Sequence, residues 1–266
     1  MTGPASGPAV LPPLSPNGWL RWEVVSRLLP PPDPSLRVLE VGCGQGGFGA
    51  RLAQRYSYVG VEPDGTSYSV AQQRLAEAGV PGEVRHGDLS VVAAEETFDL
   101  VCAFEVIEHI EDDAEAMRSW AGQLRPGGSV LLSTPAWQRR FGAADEMVGH
   151  FRRYDPPVLR SLLTGAGLVD VELVHFGAPL GYLLEAGRNA VGRRRLASAT
   201  AAGASTGSPT LPTSKAERSD ASGRTLQPST SWTATAARLG TVPFRVVQRA
   251  FPNTGPGLVA RAHKPA

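Results

Sequence analysis

The chain predicts an α/β fold: a mostly parallel sheet with helices on both faces. Three observations carry that expectation. Strand-like and helix-like stretches alternate from residue 36 to residue 176, and such alternation builds parallel sheets through right-handed crossovers. The first β-branched run, Val38-Leu39-Glu40-Val41, ends in the glycine turn Gly42-Cys43-Gly44-Gln45-Gly46-Gly47, with a helix pattern behind it. The closing stretch from Gly257 to His263 reads as one more strand, inferred to pair beside the strand at 168–176.

The elements follow in order. Residues 1–16, rich in proline, glycine and alanine, are expected to be a disordered tail. They contain no Lys or Arg and no apolar run, so they do not read as a secretory signal. Asn17 is placed to cap a helix through Trp19, Trp22, Val25 and Leu28-Leu29, which Pro30-Pro31-Pro32 ends. Then come strand 36–41, helix 47–55, strand 57–61, helix 67–78, strand 82–86, a loop with Asp88, strand 98–104 and helix 112–124. Arg125-Pro126-Gly127-Gly128 reads as a turn into strand 129–133, because proline and glycine set the backbone there. An irregular segment, helix 156–166 and strand 168–176 complete the alternation.

Beyond residue 176 that rhythm stops. Helices expected at 180–196 and 234–250 flank an Ala/Ser/Thr/Gly-rich tract, 197–232, which has little to bury and is expected to be disordered. On this reading 178–256 is an insertion between two paired strands, and 17–177 plus 257–266 form the main domain.

Composition narrows the function classes. A formal net charge of +1 gives no general case for nucleic-acid binding. Cys43 and Cys102 both fall in strands or at strand ends, so buried free thiols are expected rather than a disulfide. The most apolar stretch, 168–184, is broken by Asp170, Glu172 and His175, short of a membrane span. A cytoplasmic protein is expected. The five histidines show no metal-ligand spacing, so no metal is expected.

Gly42, Gly44 and Gly47 fit the G-x-G-x-x-G spacing of nucleotide sites, where missing side chains let a ligand approach the backbone. Glu40, two residues before the first glycine, disfavours a pyrophosphate and suits the ammonium of a methionine-like ligand. Glu62, at the end of the next strand, is placed to accept hydrogen bonds from ribose hydroxyls. Together these residues point to S-adenosylmethionine (SAM) rather than NAD.

Six segments then carry a family resemblance: Glu40 to Gly44, Gly60-Val61-Glu62-Pro63-Asp64, Gly87-Asp88-Leu89, Phe98-Asp99-Leu100-Val101, Glu105-Val106-Ile107-Glu108-His109-Ile110 and Leu124-Arg125-Pro126-Gly127-Gly128. In this order and spacing the chain resembles the class I SAM-dependent methyltransferases, particularly the group related to ubiquinone-biosynthesis O-methyltransferases. The resemblance covers residues 35–175 and resumes at 257–264. It implies a Rossmann-like, doubly wound, seven-stranded sheet whose last strand runs antiparallel, with SAM as cofactor. It places Glu40 near the methionine amino group, Gly42 and Gly44 along the ligand, and Glu62, with Pro63 and Asp64, at the ribose. Asp88 goes to the adenine amino group with Leu89 beside the ring, and Glu105, Val106 and His109 to the methionine end. Three of these fit second uses: Asp64 capping the next helix, Asp88 fixing a turn, and His109 ordering the loop ahead of its helix.

Methyl transfer from a sulfonium is an in-line displacement that needs nucleophile and methyl carbon held together. A hydroxyl or amine acceptor also calls for a base. His150, in Gly149-His150-Phe151-Arg152-Arg153-Tyr154, is the best candidate. It lies after the fifth strand, where parallel sheets present carboxyl-end loops to ligands, and related methyltransferases often carry a similar segment over the active site. A structural or substrate-positioning role fits it too. Arg153 and Tyr154 suit either a clamp on an anionic or aromatic acceptor or a lid held by internal hydrogen bonds. The expected acceptor is a small or lipid-like molecule, methylated on oxygen. It would be bound by the N-terminal helix, residues 135–155 and the insertion. Tyr182-Leu183-Leu184 ahead of Arg188, Arg193, Arg194 and Arg195 fits peripheral contact of 180–196 with an anionic membrane, or a helix packed on the sheet with solvated arginines. Two other classes compete. An NAD-linked oxidoreductase is opposed by Glu40, and a non-catalytic interaction module by the intact acidic and glycine positions.

Overall fold

In the computed structural model, residues 11–206 and 231–266 are described, except for the side chains of 199–206 and 231. The strands are β1 (Arg37–Val41), β2 (Ser57–Glu62), β3 (Glu83–His86), β4 (Phe98–Phe104), β5 (Leu124–Pro135), β6 (Val169–Phe176) and β7 (Gly257–His263). They form one sheet in the order β3-β2-β1-β4-β5-β7-β6. β1 to β5 run parallel to one another, and β7 lies antiparallel between β5 and β6. This is the doubly wound, seven-stranded, Rossmann-like sheet with an antiparallel last strand that the family resemblance implies.

Central strands of such a sheet are covered on both faces and read as near-continuous apolar runs. β4 is Phe-Asp-Leu-Val-Cys-Ala-Phe, buried throughout except at Asp99. One face packs on α1 (Pro16–Leu28), α2 (Gly49–Ala53) and α3 (Gly65–Glu77) through Leu20, Val25, Leu52 and Leu75. The other packs on α4 (Asp113–Gly122) and α6 (Pro156–Gly165) through Met117, Trp120, Leu159 and Leu163. Both cysteines are buried free thiols.

The structure moves several expected boundaries. Residues 11–16 are not a free tail: Leu14 is buried, and the Arg51 guanidinium donates to the Pro12 carbonyl at 2.8 Å. Residues 1–10 of that call lie outside the described residues. Ser15, not Asn17, caps α1, accepting the Gly18 N–H at 3.1 Å. Pro16 takes the first helical position, where a missing N–H costs nothing. β5 starts at Leu124 rather than 129, and Arg125–Gly128 loops out within it as a register shift against β4. Gly127, at φ +76°, donates there to the Lys264 carbonyl.

Between β6 and β7 come α7 (Leu180–Thr206), α8 (Ser231–Gly240) and α9 (Val242–Ala250). α7 continues past residue 196 into the tract expected to be disordered, because its alanine-rich continuation favours helix. Residues 207–230 of that tract lie outside the described residues. The single helix expected at 234–250 is two, since Gly240 ends the first and Pro243 can only open a second. Gln248 fastens α9 to α1, donating to the Leu20 carbonyl and the Glu23 carboxylate at 2.9 and 2.7 Å. No helix among the described residues is long and apolar enough to cross a membrane.

α5 (Ala143–Val148), in the segment after β5, packs against α7. Asn189 accepts the Ala144 N–H at 3.0 Å, and Gly192 lets the two backbones approach closely at Ala143. The segment that carries His150 is therefore seated on a helix lying between β6 and β7.

Candidate active site

The carboxyl ends of β1 and β2 and the residues after β4 meet at the glycine turn, and β5 adjoins them at Glu105. Gly42 has φ +67°, and a Cβ on it would sit 2.8 Å from a Val106 methyl, so only glycine fits. Gly44, at φ +54°, has nothing within 4 Å of a Cβ position, which leaves open space over the turn. The Gly42 and Cys43 N–H groups both donate to the Val61 carbonyl, at 2.9 and 3.1 Å, tying the turn to β2.

Two buried carboxylates flank that space. Glu62 Oε2 accepts the Gly44 N–H at 2.7 Å and Oε1 the Asp64 N–H at 3.0 Å, so the backbone fixes its orientation. Glu40 is 2% exposed and accepts the Tyr58 hydroxyl at 2.7 Å. Burial pushes its pKa up to about 8; the Tyr58 hydrogen bond opposes the shift and the Glu62 charge adds to it.

At the next strand tips the second uses appear. Asp64 caps α3 by accepting the Ser67 N–H at 2.8 Å, and the Pro63 carbonyl lies 3.2 Å from the His86 ring nitrogen. Asp88 accepts the Ser90 N–H at 3.0 Å, opening the turn Leu89–Val91, while Leu89 packs on the core. Each of these two carboxylates is engaged in its own local turn.

Glu105 follows β4 at φ +59°, a conformation that non-glycine residues adopt at a cost and that clusters at functional sites. Its N–H donates to the Ser133 carbonyl at 2.9 Å, and its carboxylate lies 3.3 Å from the Arg21 guanidinium. Arg21 sits on α1 above the rings of Phe48 and Phe176. A single turn, Ile107–His109, then presents Glu108 and His109.

His150 meets them from the α5 segment. Its Nδ1 is 2.8 Å from the buried Asp145 carboxylate, and its Nε2 faces Glu108 Oε1 at 3.9 Å. The His109 ring stands edge-on to it, centroids 4.6 Å apart. Burial alone would raise Asp145, but hydrogen bonds from His150 and Arg153 outweigh it and hold the carboxylate below its ordinary range. Glu108 is fully buried and pushed well above the carboxylate range by burial and then by the Glu105 charge; no described residue hydrogen-bonds its Oε1. No metal-ligand spacing shows in the sequence, yet the fold brings ligand atoms of Glu108, His109 and His150 within 4.8 Å of one another, a group that could hold a cation.

Arg153 and Tyr154 are a correction to the clamp reading. Tyr154 is wholly buried, its hydroxyl donating to Asp113 at 2.7 Å. Arg153 is buried between Asp145 and Glu185, at 2.8 Å from each. Both serve an internal frame around residues 143–154, because their polar atoms are already matched and shielded. Asp145, Glu185 and Arg21 went unread in the sequence, since each meets its partner only across folded elements and no local spacing marks it.

Comparison with known proteins agrees with this geometry. The family model described as a methyltransferase domain matches residues 19–173. A ubiquinone biosynthesis O-methyltransferase of Methylobacterium sp. (strain 4-46) is 41% identical over 107 residues, 40% of this chain and 43% of that protein. Its counterpart in Stutzerimonas stutzeri (strain A1501) is 37% identical over 101 residues, 37% of this chain and 44% of that protein. The chain thus matches less than half the length of these curated relatives. Among solved structures, Haemonchus contortus phosphoethanolamine N-methyltransferase 2 in complex with S-adenosyl-L-methionine superposes with a TM-score of 0.58 at 17% identity, covering 95% of this chain and 54% of that one. A SAM-dependent methyltransferase of Thermotoga maritima gives 0.55 at 18% identity, covering 93% and 89%. At such identities the likeness is one of fold. With the strand order, the carboxylate-flanked turn and a family match across more than half of its length, the chain belongs to the methyltransferase domain family, the SAM-dependent enzymes its motifs resemble.

Proposed function

We propose that this chain moves a methyl group from SAM to a hydroxyl of a small-molecule acceptor. One observation carries the reading: two buried carboxylates, Glu40 and Glu62, at adjacent strand tips on either side of an open glycine turn. SAM bound there supplies an electrophilic methyl group on a positively charged sulfur.

The chain's own residues do the rest. Glu62, already oriented by two backbone N–H groups, accepts from the ribose hydroxyls, with Pro63 and Asp64 alongside. Glu40 meets the methionine ammonium, and Gly42 and Gly44 line the ligand. Asp88 and Leu89 hold the adenine. Glu105, Val106 and His109 border the methionine end, where Arg21 offers a cation to the cofactor's carboxylate. His150 takes the acceptor's proton: with Nδ1–H donating to Asp145, Nε2 keeps the lone pair that a base needs. Asp145 then balances the charge on the protonated ring. The frame of Arg153, Glu185 and Tyr154 keeps the His150 segment closed against water.

Residues 17–177 plus 257–266 form the catalytic domain in this reading, and 178–256 an insertion that walls the acceptor side. The outward face of α7 carries exposed Leu183 and Val191 near Arg193, Arg194 and Arg195, which suits contact with an anionic membrane. Flotation with anionic liposomes tests that contact; a chain that stays at the bottom of the gradient lacks it.

Calorimetric titration with S-adenosylhomocysteine (SAH) and with NAD tests the cofactor, and SAH formation across a panel of hydroxylated acceptors tests the reaction. Binding of NAD but not SAH overturns the reading. Chelation separates the two uses of the Glu108, His109 and His150 group. Turnover that survives it fits His150 as a base alone, and turnover lost and restored by added Zn²⁺ or Mn²⁺ fits a cation there.

A further inference from the structure

Arg188 is a cation with no part in the cofactor turn or in the His150 frame. It lies on α7, whose position over the active site is fixed on neighbouring turns. Glu185 binds Arg140 and Arg153 at 2.7–2.9 Å, and Asn189 accepts from Ala144. The register of the helix therefore sets where the base of the Arg188 side chain lies.

The charged groups in reach of Arg188 are Glu105, Glu185, Arg153 and Arg21. Both carboxylates among them are taken. Glu105 pairs with Arg21, and Glu185 is shared by Arg140 and Arg153. No described residue hydrogen-bonds or ion-pairs with Arg188 itself. The residue is exposed, yet loss of water is the largest influence on its guanidinium and lowers its pKa. Solvent thus reaches the side chain while protein crowds its guanidinium.

Its neighbour Glu105 borders the reacting end. Glu105 follows β4 next to Val106, which packs on Gly42, and the Glu105 charge also reaches Glu108 beside His150. An unpaired arginine so placed offers a forked, fixed-charge donor set, the geometry suited to a carboxylate or phosphate. Resting on the methyl-transfer reading, we infer that the acceptor carries an oxyanion, a carboxylate or a phosphate, held by Arg188 while its hydroxyl faces His150. Arg21 remains with Glu105 and the cofactor's own carboxylate, so the two cations divide two anions between them.

The test uses the full chain loaded with SAH, titrated with benzoate, inorganic phosphate and the neutral analogue benzamide. Benzoate or phosphate should bind, and benzamide at least about tenfold more weakly, the value of one charged hydrogen-bonded contact. Which of the two anions binds tells a carboxylate acceptor from a phosphate one. Arg188→Gln should abolish the preference while SAH affinity stays at the wild-type value, and Arg188→Lys should restore part of it. Once a methylated acceptor is in hand, Arg188→Gln should raise KM far more than it lowers kcat. Equal binding of all three probes, no binding by any, or a preference that survives Arg188→Gln overturns the inference. So does an Arg188→Gln chain that loses SAH affinity, which would give this arginine to the cofactor. A wild-type chain that fails to bind SAH removes the methyl-transfer reading and this inference with it, a different result from SAH binding without anion preference.

Discussion

At pH 7 Glu40 is mostly a neutral acid, since burial holds its pKa at about 8. An ammonium arriving beside it favours the charged form, so binding should expel a proton. Titration with SAH at pH 7 in buffers of different ionisation heat should show release of up to one proton in the wild type and none in Glu40→Gln. Proton-neutral binding by the wild type counts against the contact. Glu62→Ala should weaken SAH at least about tenfold, because it removes the ribose acceptor and strands two backbone N–H groups. An unchanged Kd would refute that assignment. His150→Ala should lower turnover by about 10² to 10⁴ while SAH affinity holds; undiminished SAH formation eliminates the base. Glu40 and Glu62 were legible because their meaning lies in local spacing around one turn. Arg153 was not: its partner Glu185 sits on α7, beyond β6, and only folding brings them together.

Among the elements, β1, β4 and β7 were the most legible, since burial on both faces leaves near-continuous apolar runs, interrupted at Glu40, Asp99 and Arg261. Ends were less so. Two polar residues, Ser15 and Asn17, compete as caps, and Pro16 decides between them by fitting only the position after Ser15. The register shift at Arg125–Gly128 stayed hidden because the same residues suit a free turn. The packing of α5 on α7 left no mark in either segment alone, and it yields a prediction. Glu185→Ala leaves the buried Arg153 with Asp145 as its one carboxylate partner and should cost about 3 kcal/mol, the low end for a broken buried ion pair. Amide exchange across residues 143–154 should quicken, and the melting temperature should fall by several degrees. Exchange at the wild-type rate would show that α7 does not hold this segment down.

For the molecule as a whole, buried carboxyls set the response to pH. Glu40 and Glu108 both have folded-state values above their unfolded ones. Their contribution is complete below the ordinary carboxylate range and is lost as pH rises, for Glu40 through about 8. Asp145, Glu83 and Glu96, held below their ordinary values, act oppositely and lose their contribution as pH falls. Thermal melts should therefore decline from pH 6 to pH 9, with a shallower slope in Glu40→Gln and in the SAH-loaded chain. A wild-type slope no steeper than that of Glu40→Gln would contradict the account. The sheet order was visible in outline from sequence, through the alternation and the lone closing strand. The placement of α7 to α9 over α1 and α5 was not, because side chains such as Gln248 and Glu185 give no sign of which neighbour they will meet.

The excursion between β6 and β7 leaves and returns at a single point, where Phe176 stands opposite Gly257 and the His175 N–H reaches the Pro252 carbonyl. A detour that starts and finishes at one neck can grow, shrink or be exchanged without changing any strand's neighbours. On the proposed reading, the choice of acceptor can then change by inheritance while the cofactor turn stays, provided that Glu185 and Asn189 still hold the His150 segment. Grafting a foreign detour at that neck is the natural route to redirecting the enzyme toward new compounds.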